Sequence, residues 1–132
     1  MPNTLMLVFT RPVSPDREAE YNEWYSKKHL PDLVRVPGVV AATRYSLADA
    51  HTPEGAPPGP RDYLAAYEID GARPENIQDF WAALYDSLAH GGVDASQTLD
   101  FPNITACFAV PITERITREA VLLAQADPNA AG

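Results

Sequence analysis

Short apolar runs of β type alternate along the chain with stretches of helical spacing. "TLMLVFTR", Thr4 to Arg11, is an apolar run closed by Pro12 and predicts a first strand. Ser14 and Pro15 then read as the cap and first position of a helix with acids in its first turn, running to about His29. Pro31 cannot donate a backbone N–H and collides with the carbonyl four residues back. The helix is therefore expected to end or kink there, with "PDLVRV" as one further turn. Pro37-Gly38 marks a turn, and "VVAATRYSL", Val39 to Leu47, predicts the second strand.

Ala48 to Arg61 carries Pro53, Pro57, Pro58 and Pro60 and reads as a loop and candidate lid. "DYLAAYEI", Asp62 to Ile69, predicts a third strand. A second helix runs from Pro74 to about His90, with Gly91-Gly92 as its stop. "NITACFAV", Asn103 to Val110, predicts the fourth strand, and Ile116, Ala120, Leu123 and Ala124 recur at helical spacing in the tail.

The order β-α-β-β-α-β is that of a ferredoxin-like α+β subunit: an antiparallel four-stranded sheet with two helices on one face. Residues 1–112 form this domain, and residues 113–132 are a C-terminal tail with a short helix. Leu5, Leu7 and Phe9 alternate with Met6 and Val8, so the first strand is apolar on both sides. The sheet face away from the helices needs a cover. A homodimer packed sheet against sheet supplies one; the loop and tail of the same subunit are the other choice.

Composition narrows the partners. The chain has 132 residues, is 45% hydrophobic and carries a net charge of −8, with no basic stripe. Nucleic acid and anionic membrane surfaces are not expected as partners. No apolar run approaches the roughly 20 residues that span a bilayer. The N-terminus lacks the pattern of a signal peptide, so a cytoplasmic location is the default. Cys107 is the one cysteine, which rules out an intrachain disulfide and a cysteine zinc site. It reads as a small buried hydrophobe. His29, His51 and His90 form no His-x-x-x-His or Glu-x-x-His pair, so no metal is expected. Neither a phosphate-binding glycine loop nor a Gly-x-Ser-x-Gly elbow is present, and no cofactor is expected.

Candidate chemistry lies on the first helix. At about 100° per residue, Tyr21, Trp24, Tyr25 and Lys28 share one stripe, and Asp16, Glu20, Glu23 and Lys27 lie opposite. Asn22 and His29 fall about 20° apart around the axis and roughly 10 Å along it. An amide, a phenol and an imidazole then line one edge of the buried face. His29 could move a proton near neutral pH, Tyr25 could donate a hydrogen bond and Asn22 could hold an oxyanion. A competing reading makes Tyr21, Trp24 and Tyr25 core residues and His29 a helix C-terminal histidine favoured by the dipole.

The second helix places Ile77, Phe80, Trp81, Leu84, Tyr85 and Leu88 on one face, with Trp81 and Tyr85 at the edge where they could wall a pocket. His90 projects about 140° from that stripe and reads as a cap. Tyr67 and Glu68 lie on opposite faces of the third strand, so one of them shares the pocket face. Asp32 either orients His29 or favours the start of the extra turn.

The stretch "YNEWYSKKHLPDLVRVPGVVAATRY", Tyr21 to Tyr45, resembles the EthD-like branch of the dimeric α/β-barrel superfamily. The residues carrying the resemblance are Asn22, Trp24-Tyr25, His29-Leu30-Pro31, Val36-Pro37-Gly38 and Arg44-Tyr45. They span about a fifth of the chain; the order of elements extends the likeness to about Val110, leaving out the Pro-rich loop and the tail. The resemblance implies a homodimer whose sheets face each other as a barrel, and a pocket between sheet and helices lined by His29, Arg44 and Asn22. The superfamily holds cofactor-free monooxygenases, polyketide cyclases, small isomerases and lyases, and haem enzymes, so fold alone does not select a reaction.

The leading expectation is a small cofactor-free enzyme acting on an aromatic or polyketide-like molecule by cyclisation, isomerisation or oxygenation. His29, Tyr25 and Asn22 would be catalytic, with Trp24, Arg44, Tyr67, Trp81 and Tyr85 holding the substrate. Two alternatives stand beside it. One is a haem-binding or haem-degrading member of the superfamily, with Trp81 and His90 in the haem-site positions. The other is a non-catalytic dimer that binds a small ligand.

Overall fold

The computed structural model describes residues 2–47, 53–57, 61–70, 76–90 and 96–126. Its elements are β1 (Thr4–Thr10), a 3-10 turn (Pro15–Arg17), α1 (Glu18–Trp24), a π turn (Tyr25–His29), α2 (Leu30–Val34) and β2 (Val39–Ser46). β3 (Tyr63–Ile69), α3 (Ile77–Ala89), β4 (Thr105–Ala109) and α4 (Arg118–Ala126) follow. The four strands form one antiparallel sheet in the order β2-β3-β1-β4, the ferredoxin-like arrangement.

Alternation along β1 explains the layering. Thr4, Met6 and Thr10 are buried toward the helices, while Leu5, Leu7 and Phe9 are only partly covered on the other face. Met6 pairs with Tyr67 and Phe108 on the helix side, and Leu7 pairs with Ala66 and Cys107 on the open side. The core between sheet and helices is built around Tyr21, Tyr25, Tyr67, Met6, Ile69 and Phe80. Each such side chain stabilises the fold by about 1.5–3 kcal/mol through burial.

One irregularity in β2 matters for the site. Its pairing with β3 slips by one residue between Val39 and Ala41. Val39 lies opposite Ile69, Ala42 opposite Tyr67 and Arg44 opposite Ala65, all helix-side positions. In an unbroken strand Val39 and Arg44 would face opposite ways. The bulge turns both toward the helices. Gly38, just before it, has φ 98°, and a Cβ there would sit 3.7 Å from the Phe80 ring. Glycine fits that left-handed turn without strain.

The expected break at Pro31 and the further turn after it are present as a π turn followed by α2, and three other readings are corrected. Leu30 N–H donates to the Tyr25 carbonyl, five residues back, and the chain continues as α2 to Val34. A wide turn leaves one backbone pair unmade and opens the space beneath it, so the missing N–H and bulky ring of Pro31 are accommodated. Ser14 stands at the cap position, but its side chain makes no capping bond; its carbonyl accepts from Arg17 N–H at 3.1 Å. Cys107 is exposed rather than buried, because it faces the open side of the edge strand β4. The tail helix α4 is exposed at every residue, so it is not the cover for the open sheet face.

His90 does close α3: its Nδ1 lies 2.8 Å from the Asp86 carbonyl oxygen. Pro74, Gly91-Gly92, His51 and most of the Pro-rich loop lie outside the described residues. Among the described residues no helix is long and apolar enough to cross a membrane, and no group of His, Cys, Asp and Glu could hold a metal ion.

Candidate functional site

The π turn decides where the imidazole goes. Residues five apart on a regular α-helix point about 140° away from each other. Across the wide turn they come together. His29 stacks on Trp24 with ring centroids 4.7 Å apart and planes 27° apart. It also meets the edge of Tyr25 at 4.8 Å. The expected row of Asn22, Tyr25 and His29 along one edge is therefore divided. His29 joins Trp24 and Tyr25, and Asn22 turns to the sheet.

What Asn22 meets there is Arg44, which the β2 bulge aims at the helix. Arg44 Nη2 donates to Asn22 Oδ1 at 3.0 Å, and Nη1 donates to Ser26 Oγ at 2.8 Å and to the Asn22 carbonyl at 3.4 Å. Its guanidinium carbon lies 4.4 Å from the centroid of the Tyr25 ring, 5.2 Å from Tyr63 and 5.4 Å from Tyr21. Such contacts are each worth about 0.5–2 kcal/mol. Asn22 Nδ2 donates in turn to the Tyr63 hydroxyl at 3.0 Å, and that hydroxyl donates to Glu18 Oε1 at 2.5 Å. A single polarised chain thus runs from the Arg44 cation through an amide and a phenol to the Glu18 carboxylate.

Four tyrosines enclose this chain. The Tyr21 hydroxyl bonds the Thr10 hydroxyl, and the Tyr25 hydroxyl lies 3.3 Å from that of Tyr67. Burial pushes Tyr25 up to about 12 and raises Tyr21, Tyr63 and Tyr67 above the ordinary tyrosine value. All four are neutral phenols at physiological pH. Tyr25 is only 1% exposed, so it presents a ring to its surroundings while its hydroxyl is held in the core by Tyr67. Asn22 likewise uses both ends of its amide within the protein.

The structure answers the strand-three question. Tyr67 is on the helix face and Glu68, paired with Leu5, is on the open face. Asp32 is buried at 3% exposure and accepts from Arg35 at 2.8 Å and Lys28 at 3.4 Å. Trp81 and Tyr85 form a second aromatic group on α3, stacked at 5.6 Å, with Trp81 edge-on to Phe108 at 5.4 Å. Trp81 is partly buried, whereas Tyr85 is 63% exposed. His90, which the haem alternative needs as a ligand, has its Nδ1 against Asp86 and its side chain 76% exposed.

Glu18, Ser26 and Tyr63 were missed as site residues. Their signal is present: Glu18, Asn22 and Ser26 recur every four residues on one helix face, and Tyr63 shares a strand face with Tyr67. Glu18 also lies at the wall of a cleft of about 280 Å³, together with Arg11, Pro12, Val13, Ser14, Pro15, Asp62 and Asp100. A shallower hollow of about 430 Å³ on the outer helix surface is lined by Ala19, Glu20, Glu23 and Trp24.

No family model and no curated protein matches the chain. Among solved structures it is similar to an ethyl tert-butyl ether d (EthD) family protein from Bacillus halodurans. The identity is 15%, the match covers 85% of this chain and 100% of that one, and the TM-score is 0.49.

Proposed function

We propose that the chain works as a homodimer and binds a small conjugated molecule beside the Tyr25–His29 turn, where His29 moves a proton on it. One observation carries the reading. The His29 imidazole and the Arg44 guanidinium lie against the same Tyr25 ring, at 4.8 Å and 4.4 Å from its centroid. An imidazole and a fixed cation then border one and the same ring. Removing a proton from a phenol, or from carbon next to a carbonyl, needs that pair: one group takes the proton and the other stabilises the anion left behind.

The remaining residues serve the pair. Trp24 fixes the plane of the imidazole, Asn22 and Ser26 aim the guanidinium, and Tyr67 anchors Tyr25. Trp81 and Tyr85 supply an aromatic wall. Cyclisation, isomerisation and cofactor-free oxygenation of aromatic or polyketide-like molecules all begin with such a deprotonation. The second copy covers the open sheet face, where Leu5, Leu7 and Phe9 are incompletely buried and Tyr45 is exposed.

A panel of hydroxyarenes, aromatic ketones and β-diketones tests the reading by thermal shift followed by product analysis. Hits that raise Tm and are converted support it. Hits that bind and emerge unchanged favour the non-catalytic ligand-binding dimer. A panel with no hit contradicts the proposed site.

A further inference from the structure

We infer that the ligand enters this site already carrying one flat delocalised oxyanion (an arenecarboxylate or a phenolate) that pairs with Arg44, while a separate position of the same molecule gives up its proton to His29. The inference rests on the proposed site and names the class of molecule it takes.

Arg44 carries a permanent charge. Its hydrogen-bond partners are the neutral oxygens of Asn22 and Ser26, and its other neighbours are tyrosine rings. Among the described residues it makes no salt bridge. Its Nε is sealed from solvent without a hydrogen-bond partner. An unmade bond on a buried group costs about 1–3 kcal/mol, and more when the group is charged. A water molecule could satisfy the N–H, but it would leave the charge uncompensated.

The surrounding groups do not supply the counter-charge. Burial keeps all four tyrosines protonated, Tyr25 up to about 12. Glu18 is the acid at the end of the hydrogen-bond chain, but Asn22 and Tyr63 stand between it and Arg44. It polarises the chain without pairing with the guanidinium. A ligand anion completes the site. The exposed Ser26 hydroxyl, 2.8 Å from Nη1, is the neutral acceptor that a ligand oxygen replaces.

The walls select which anion. A strongly hydrated phosphate or sulfate loses much on leaving water for a ring-lined site. A charge spread over a conjugated plane loses less and fits the planar guanidinium edge. The chain's net charge of −8 repels anions in general, so any preference for one arises locally.

The probe is 4-nitrophenol, whose yellow phenolate reports its own ionisation, titrated across pH with excess wild-type protein and with Arg44→Gln and Arg44→Lys. Wild type should lower the apparent pKa of bound nitrophenol and bind phenolate at least about tenfold more tightly than phenol, roughly one charge-assisted bond's worth. Arg44→Gln should abolish that preference and Arg44→Lys should keep part of it. An unchanged or raised nitrophenol pKa, the same preference in Arg44→Gln, or no binding at millimolar probe overturns the inference. Should Arg44→Gln fail to fold, calorimetry on wild type with benzoate against benzamide decides: tighter benzoate supports the inference, and equal or weaker benzoate overturns it. His29→Ala separates the two proposals. It should retain the anion preference while losing proton transfer. Proton transfer with a preference for neutral ligands sinks this inference alone.

Discussion

His29 stacks on Trp24 across five residues of chain, with ring centroids 4.7 Å apart. The contact exists because the helix widens for one turn between Tyr25 and His29. A regular helix would have carried the imidazole to another face. Pro31 and the stack therefore have one origin: the turn that admits the proline also sets the ring. π turns of this kind are frequent at functional sites.

Removing the indole should release the imidazole. In Trp24→Leu the His29 ring proton resonances, shifted upfield by the stacked indole in wild type, should move back toward ordinary values in a proton NMR spectrum. Identical positions in the two proteins would show that the rings are not stacked in solution.

The Thr10–Tyr21 hydroxyl pair is buried, with Tyr21 0% exposed. Thr10→Val leaves the Tyr21 hydroxyl without that partner and should cost about 1–3 kcal/mol in urea unfolding. Thr10→Val combined with Tyr21→Phe should cost less than the two single changes together, since no polar atom is then stranded. Strict additivity would contradict the pairing.

Alkali should unfold the protein through its tyrosines. Tyr25 is raised to about 12, and Tyr21, Tyr63 and Tyr67 are raised with it, chiefly by burial. Above about pH 10 the unfolded chain releases these protons while the folded chain retains them. Their contribution is complete below that pH and falls by about 1.4 kcal/mol per pH unit for a fully buried tyrosine such as Tyr25, until the folded group ionises. Tyrosinate absorbance near 295 nm should then appear together with loss of circular dichroism. Smooth titration of every tyrosine near pH 10 with the fold intact would count against this core.

The open sheet face makes Cys107 a reporter of assembly. It is exposed in the single chain, opposite Leu7. In a dimer closed over that face its thiol should react slowly with Ellman's reagent, and faster as the protein is diluted. Sedimentation should show twice the 14.4 kDa chain mass at the higher concentrations. Rapid labelling at every concentration, with monomer mass, would remove the dimer.

Much of the fold was legible because the strands are apolar runs closed by turn residues, although β4 buries none of its own residues. The strand limits read from alternation lie within two residues of those observed. The π turn was not legible: propensity and the Pro31 rule both describe regular helices, and the extra residue in a wide turn leaves no mark in composition. Arg44 posed the same difficulty. Its direction depends on a one-residue slip in β2, and counting from Val39 puts it on the wrong face. Cys107 misled because an apolar run on an edge strand looks the same as one in a covered strand. Asn22 was singled out as an oxyanion holder, but its partners Arg44 and Tyr63 come from two strands remote in sequence, so its part in aiming the guanidinium emerges only from the fold.

Hydrogen exchange at carbon reads the proposed proton transfer most directly. A ligand found by thermal shift, dissolved in D2O with wild type, should exchange its acidic carbon-bound hydrogen faster than in buffer, as followed by NMR. His29→Ala should bind the same ligand and slow that exchange by about 10²-fold or more. Equal exchange rates in the two proteins, with binding intact in both, would contradict the role given to His29.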